Sequence, residues 1–164
     1  MKKLVFAAGM LVIVLLAVPL VQAGFWETEV FVKNSTKDIW MNQNPKTKEI
    51  ISTIKPGVGH TSVYHISRKG IFGDDTNQEY RAVFTSTDKK YPEILCVVQF
   101  KSGVGLRFMV RDVKRTETDA DWISIPAGNG SHTFQLAAGL YVKVSYWLQA
   151  LLHDVEFTIK NSPE

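Results

Sequence analysis

The sequence predicts an all-β chain, a single-domain antiparallel β-sandwich of about ten strands following an N-terminal signal peptide. Three observations lead there. Short runs of β-branched and aromatic residues recur at roughly ten-residue spacing, which is the rhythm of sandwiches and barrels. Gly, Pro, Asn and Asp separate those runs. No long stretch sustains helical periodicity, and the chain contains no internal repeat, low-complexity tract or linker.

The elements can be taken in order. Thr28–Lys33 is the first run and stops at Asn34-Ser35-Thr36. Ile39–Asn42 is a second, short one. Glu49–Ile54 is a third and ends at Lys55-Pro56-Gly57, a turn signal. Thr61–Ser67 is the fourth. A loop with Gly70, Gly73 and Asp74-Asp75 leads to Tyr80–Thr85. Ile94–Phe100 is nearly continuous apolar, the pattern of a central strand covered on both faces. Lys101–Gly105 turns the chain, and Leu106–Val113 runs back. Trp122–Ile125 and Thr133–Ala137 read as a hairpin around Ala127-Gly128-Asn129-Gly130, residues that tolerate positive φ. The chain closes with Leu140–Gln149 and Val155–Lys160. In the last run Val155, Phe157 and Ile159 point inward and Asp154, Glu156, Thr158 and Lys160 outward. Ser145–His153 is the one segment with a helical alternative, a turn or two between the final strands.

Met1–Ala23 reads as a cleavable secretory signal. Lys2-Lys3 is a positive n-region, Leu4–Leu20 an apolar core broken by Gly9 and Pro19, and Val21-Gln22-Ala23 a peptidase site. The competing reading is an uncleaved anchor, since the apolar run is long enough to span a bilayer; Pro19 and the Val-x-Ala ending favour cleavage. The working domain is then residues 24–164, exported to the periplasm or the medium. The Lys-Lys n-region is of bacterial type. On that reading Asn34-Ser35-Thr36 and Asn129-Gly130-Ser131 are turn residues rather than glycosylation acceptors.

Removing the leader changes the charge. The chain has 19 Lys+Arg against 16 Asp+Glu, and Lys2 and Lys3 leave with the leader, so the domain carries 17 bases, 16 acids and a net +1. Global charge therefore gives no case for nucleic acid. Cys96 is alone and cannot form an intramolecular disulfide. It lies in the apolar run Ile94–Val98 and reads as a buried small hydrophobe.

Two constellations are candidates for ligand binding. Arg107, Arg111 and Arg115 alternate with Leu106, Phe108 and Val110, so the guanidiniums share one face of their strand. Such a row suits phosphate, sulfate or anionic lipid headgroups; the competing reading is a solvated face balanced by acids on a neighbouring strand. Trp147, with Tyr141 and Ser145 on its face and Leu151-Leu152 beyond, is a contact patch if it faces outward; otherwise it closes one end of the core.

The remaining chemistry is weaker. Asp74-Asp75 and Asp119-Ala120-Asp121 lack the density of a calcium loop. His60, His65, His132 and His153 do not have zinc-site spacing. There is no nucleophile elbow, phosphate loop or dinucleotide fingerprint. No catalytic residue, metal ligand or cofactor is assigned.

Val30-Phe31-Val32-Lys33-Asn34-Ser35-Thr36-Lys37-Asp38-Ile39-Trp40, followed by Ile54-Lys55-Pro56-Gly57, is similar to the opening of lipid-binding β-sandwich families such as aegerolysins and actinoporin-like proteins. The likeness implies a β-sandwich with a strand ending in Asn-Ser/Thr and a Pro-Gly turn. It transfers no functional residue.

Three functions fit these readings. The first is an exported, non-enzymatic binding protein for a protein or glycan ligand. The second is a membrane-active or lipid-binding protein for an anionic membrane surface, acting through Arg107, Arg111 and Arg115 and the Trp147–Leu152 region. The third is a small secreted hydrolase or an enzyme inhibitor.

Overall fold

The computed structural model describes residues 27–59, 61–67, 78–101, 103–149 and 152–164. The Met1–Ala23 segment expected to be a leader, His60, the Asp74-Asp75 loop and Leu151 lie outside the described residues. Among the described residues eleven strands form in chain order: β1 (Glu27–Ser35), β2 (Trp40–Gln43), β3 (Ile50–Ile54), β4 (Thr61–Ser67), β5 (Gln78–Ser86), β6 (Ile94–Lys101), β7 (Gly105–Asp112), β8 (Ile123–Ser124), β9 (Gly130–Ala137), β10 (Leu140–Gln149) and β11 (Leu152–Lys160). A 3-10 turn, Asp119–Asp121, precedes β8.

The strands form two packed sheets, one in the order β4-β1-β11-β10-β9 and one in the order β3-β2-β5-β6-β7-β8. The expected β-sandwich is present. Most neighbours are antiparallel, but β1 and β11 run parallel, with Val30 beside Val155 and Val32 beside Phe157. The inward residues of the two sheets fill the core. Val30, Val32, Val142, Val144, Phe157 and Ile159 face Ala82, Phe84, Cys96, Val98 and Phe108, all essentially inaccessible. Burial pushes the Cys96 thiol well above its ordinary range, so it stays protonated and inert.

The crossing from β1 to β2, between sheets, is held by side chains. Buried Asn34 donates from Nδ2 to the carbonyls of Asp38 (2.7 Å) and Ile54 (3.0 Å). Its Oδ1 accepts from the Thr36 amide (2.9 Å) and hydroxyl (2.8 Å). Trp40 Nε1 donates to Thr36 Oγ1 at 3.0 Å. The Asn34 carbonyl accepts from Gly57 N–H (3.1 Å), and Gly57 sits at φ +70°, where a side chain is strained. The Asn34, Thr36, Trp40 and Pro56-Gly57 signals, separate in sequence, therefore form one cluster.

Two expectations are corrected. Trp122–Ile125 and Thr133–Ala137 are not a hairpin: β8 pairs with β7 and β9 with β10, so the intervening loop crosses between sheets. The apolar residues on either side suit two different layers, which turn chemistry alone does not distinguish. The helical alternative at Ser145–His153 is also replaced. β10 extends to Gln149 and β11 starts at Leu152, pairing from Tyr141–Lys160 to Gln149–Leu152. Alternating burial along β10 favours the strand.

The central strands of the six-stranded sheet are covered on both faces, as the apolar run at 94–100 predicts. On the outer face Val83, Leu95, Val97 and Met109 form a second buried cluster, and Val113 and Trp122 pack on it.

Candidate functional site

The outer face of the six-stranded sheet carries the three arginines, and each is engaged by a neighbour. Arg107 lies with its guanidinium carbon 4.0 Å from the Trp122 ring centroid and donates from Nε to Gln99 Oε1 at 2.8 Å. Arg111 is only 9% exposed; its Nη1 donates to the carbonyls of Asp112 and Val113, and its Nη2 lies 3.8 Å from Glu117. Arg115, beyond the end of β7, pairs with Asp121. Glu117 also accepts from Arg81 Nη1 at 3.0 Å, and Arg81 Nε donates to Glu79 at 2.6 Å. The hydrogen bond from Arg81 holds the Glu117 carboxyl below the usual carboxylate range. Asp121 Oδ2 also accepts from the Thr118 amide and hydroxyl. These contacts tie the 113–122 segment over the outer apolar cluster. Arg81, Glu79 and Glu117 escaped sequence reasoning because their meeting depends on where that segment folds back.

Trp147 lies on the opposite side of the molecule. Val142, Val144 and Tyr146 take the inward positions of β10, so Trp147 faces out from the five-stranded sheet. It is half-buried and stacks on Phe31 of β1, centroids 5.7 Å apart. The structure does not bring Trp147 and the arginines onto one surface.

The face that carries Trp147 is built by register. Lys33, Thr158 and Lys143 stand abreast on β1, β11 and β10. Phe31, Glu156 and Ser145 form the next row, and Glu29 and Trp147 flank Asp154 in the one beyond. Strand spacing puts the two lysine backbones about 10 Å apart, on either side of Thr158. Around them lies an open depression of about 440 Å³, lined by Lys33 and Ser35, Lys143 and Ser145, Glu156, Thr158 and Lys160, and the chain end beyond.

Although Asp154, Glu156 and Lys160 point outward, they are 2%, 7% and 6% exposed, because β11 lies between β1 and β10 and their side chains cover it. Thr158 donates to Glu156 Oε1 at 3.0 Å. Lys160 Nζ donates to the Pro163 carbonyl at 2.9 Å; burial, helped by nearby Lys143, lowers its pKa. Asp154 Oδ1 accepts from the Glu29 amide at 2.9 Å, while its Oδ2 is buried with no hydrogen-bond partner among the described residues. Burial raises the Asp154 pKa. Glu29 in turn lies 3.7 Å from His65 Nε2 on β4. The face thus offers cations and hydroxyls at one end and a buried carboxyl beside an aromatic pair at the other. The alternating charges of β11 were the available signal; its central place in the sheet was not readable from them.

No family model matches the chain, and no curated protein matches it.

Proposed function

We propose that the protein is an exported, non-enzymatic binding module that holds an acidic glycan on the outer face of its five-stranded sheet. The depression flanked by Lys33 and Lys143 carries this reading. Ammonium groups favour a carboxylate or sulfate, and Ser35, Ser145 and Thr158 offer hydroxyl partners between them. Phe31 and Trp147 add an aromatic surface of the kind sugar rings pack against. The Arg107–Arg115 face supports the reading by contrast, since its charges serve the 113–122 segment. Export rests on the Met1–Ala23 leader, and a lone buried cysteine is compatible with an oxidising compartment.

Calorimetric titration with an acidic polysaccharide and a neutral one of similar length tests this. Binding should be confined to the acidic chain and weaken with salt. Replacing Lys33 and Lys143 together by Ala should weaken it by about tenfold or more. Equal affinity for both chains, or binding untouched by the double substitution, sinks the reading. Sedimentation with anionic vesicles but not with the polysaccharide transfers the face to a lipid headgroup.

A further inference from the structure

We propose that β3 is a self-association edge: two copies of the chain pair antiparallel through it about a two-fold axis at Ser52, joining their six-stranded sheets into one. β3 ends its sheet, so its far side has no strand partner among the described residues. Its sequence, Ile-Ile-Ser-Thr-Ile, holds no charged or proline residue, and the guard it has is a bulge at Ile51, where β3 carries one residue more than β2. Ile50 and Ile51 are 56% and 58% exposed. Ile39 and Val58, also exposed, fall in the flanking segments. Among the described residues, four of the six exposed large aliphatic side chains thus lie on or flanking the β2–β3 edge; Val104 and Leu148 lie elsewhere.

The direction of the backbone groups fits such pairing. Thr87 N–H donates to the Ile39 carbonyl at 3.0 Å, so Ile39 directs its backbone groups toward β5. By alternation Trp40 and Asn42 direct theirs toward β3, as do their partners Ile54 and Ser52 toward β2. Thr53 is left with N–H and C=O directed to the open edge, while Ile51, the residue of β3 with no partner on β2, is the extra residue of a bulge that interrupts the alternation. A two-fold axis at Ser52 sets Thr53 of one copy opposite Ile51 of the other, twice, and aims the outward N–H of each Thr53 at the partner strand. The same register brings Glu49 of each copy beside Lys55 of the other, a charge match made twice. It also sets the two Ser52 side chains face to face, and the Ser52 hydroxyl is buried with no hydrogen-bond partner among the described residues. The register shift between β2 and β3 falls at the Ile50 end and limits the shared ladder to its centre. The association is accordingly weak and depends on concentration.

Analytical ultracentrifugation over a concentration series, up to roughly millimolar, reads the equilibrium. The parent should show a reversible monomer–dimer transition. Thr53→Pro, which removes an outward N–H the monomer does not use, and Ile51→Lys should both sediment as monomers with an unchanged circular dichroism spectrum. Glu49→Lys should weaken the dimer, and adding Lys55→Glu should restore it. Ser52→Cys fixes the register: facing residues of a non-hydrogen-bonded pair lie within disulfide reach. It should give a covalent dimer on oxidation, and Thr53→Cys should not; the native Cys96 is buried. A parent that stays monomeric throughout overturns the proposal. So does a dimer that survives Thr53→Pro and Ile51→Lys, or a Thr53→Cys that cross-links as readily as Ser52→Cys.

Discussion

Asn34 concentrates more of the fold into one side chain than any apolar residue does. Its amide satisfies four hydrogen bonds from a fully buried position, and the Thr36 hydroxyl passes the network on to Trp40. Removing the amide leaves buried backbone groups unpaired, each at a cost of about 1–3 kcal/mol. Asn34→Ala should therefore lower stability by roughly 2–4 kcal/mol, read as a shift in the urea midpoint without a change in slope. Gly130 shows a different constraint. A Cβ there would lie 2.6 Å from Tyr146 Cζ, so the residue is small because the ring occupies its space.

Asp154 is the residue-scale test of electrostatics. Its folded pKa is raised, chiefly by burial, so the folded chain holds the proton more tightly than the unfolded chain. This contribution to stability is present at acid pH and lost as pH rises through the folded pKa. Asp154→Asn keeps an oxygen for the Glu29 amide and removes the buried charge. It should be more stable than the parent at neutral pH, and the advantage should vanish below the ordinary carboxylate range. Denaturant melts at the two pH values decide; an advantage that persists in acid would place the cause elsewhere than ionisation.

At the scale of elements, the 113–122 segment behaves as a clasp on the outer sheet face. Its apolar anchor is Trp122, packed on Val83, Leu95, Val97 and Met109; its polar ties to the sheet run from Glu117 to Arg81 and Arg111, and the Arg115–Asp121 pair braces the segment internally. The two kinds of contact differ in weight. Trp122→Ala strips cover from a buried cluster and should cost about 2–3 kcal/mol, toward the low end for such changes because the ring is half-buried. Glu117→Gln should cost under about 1 kcal/mol, since Glu117 and Arg81 are both about a third exposed and screened by water. Glu117 has a lowered pKa, so its contribution is present above the ordinary carboxylate range and lost as pH falls through the folded value. Equilibrium unfolding of both variants separates the two, and comparable losses would overturn this ranking.

For the whole molecule, the parallel pairing of β1 with β11 decides where the proposed ligand surface lies. It joins residues more than a hundred positions apart, as in the Glu29–Asp154 hydrogen bond. Lys33 is thereby placed across Thr158 from Lys143. The Lys33 and Lys143 substitutions proposed to weaken glycan binding should leave the unfolding midpoint nearly unchanged, as changes at partly exposed side chains usually do. A large loss of stability would mean that the depression serves the fold rather than a ligand.

The sequence by itself determined the β class, the strand runs, the core face of each well-alternating strand and the double burial of 94–100. Those features follow from period-two alternation and turn residues, which are local. It also marked Asn34, Thr36, Trp40 and Gly57, though not that they meet. Only the tertiary structure decided that β8 and β9 belong to different sheets, that Arg107 and Arg111 meet the 113–122 segment, and that Trp147 lies on the far side with Lys33 and Lys143. A strand's periodicity states which residues share a face. It is silent on which strand lies alongside, because pairing depends on contacts between residues far apart in the chain.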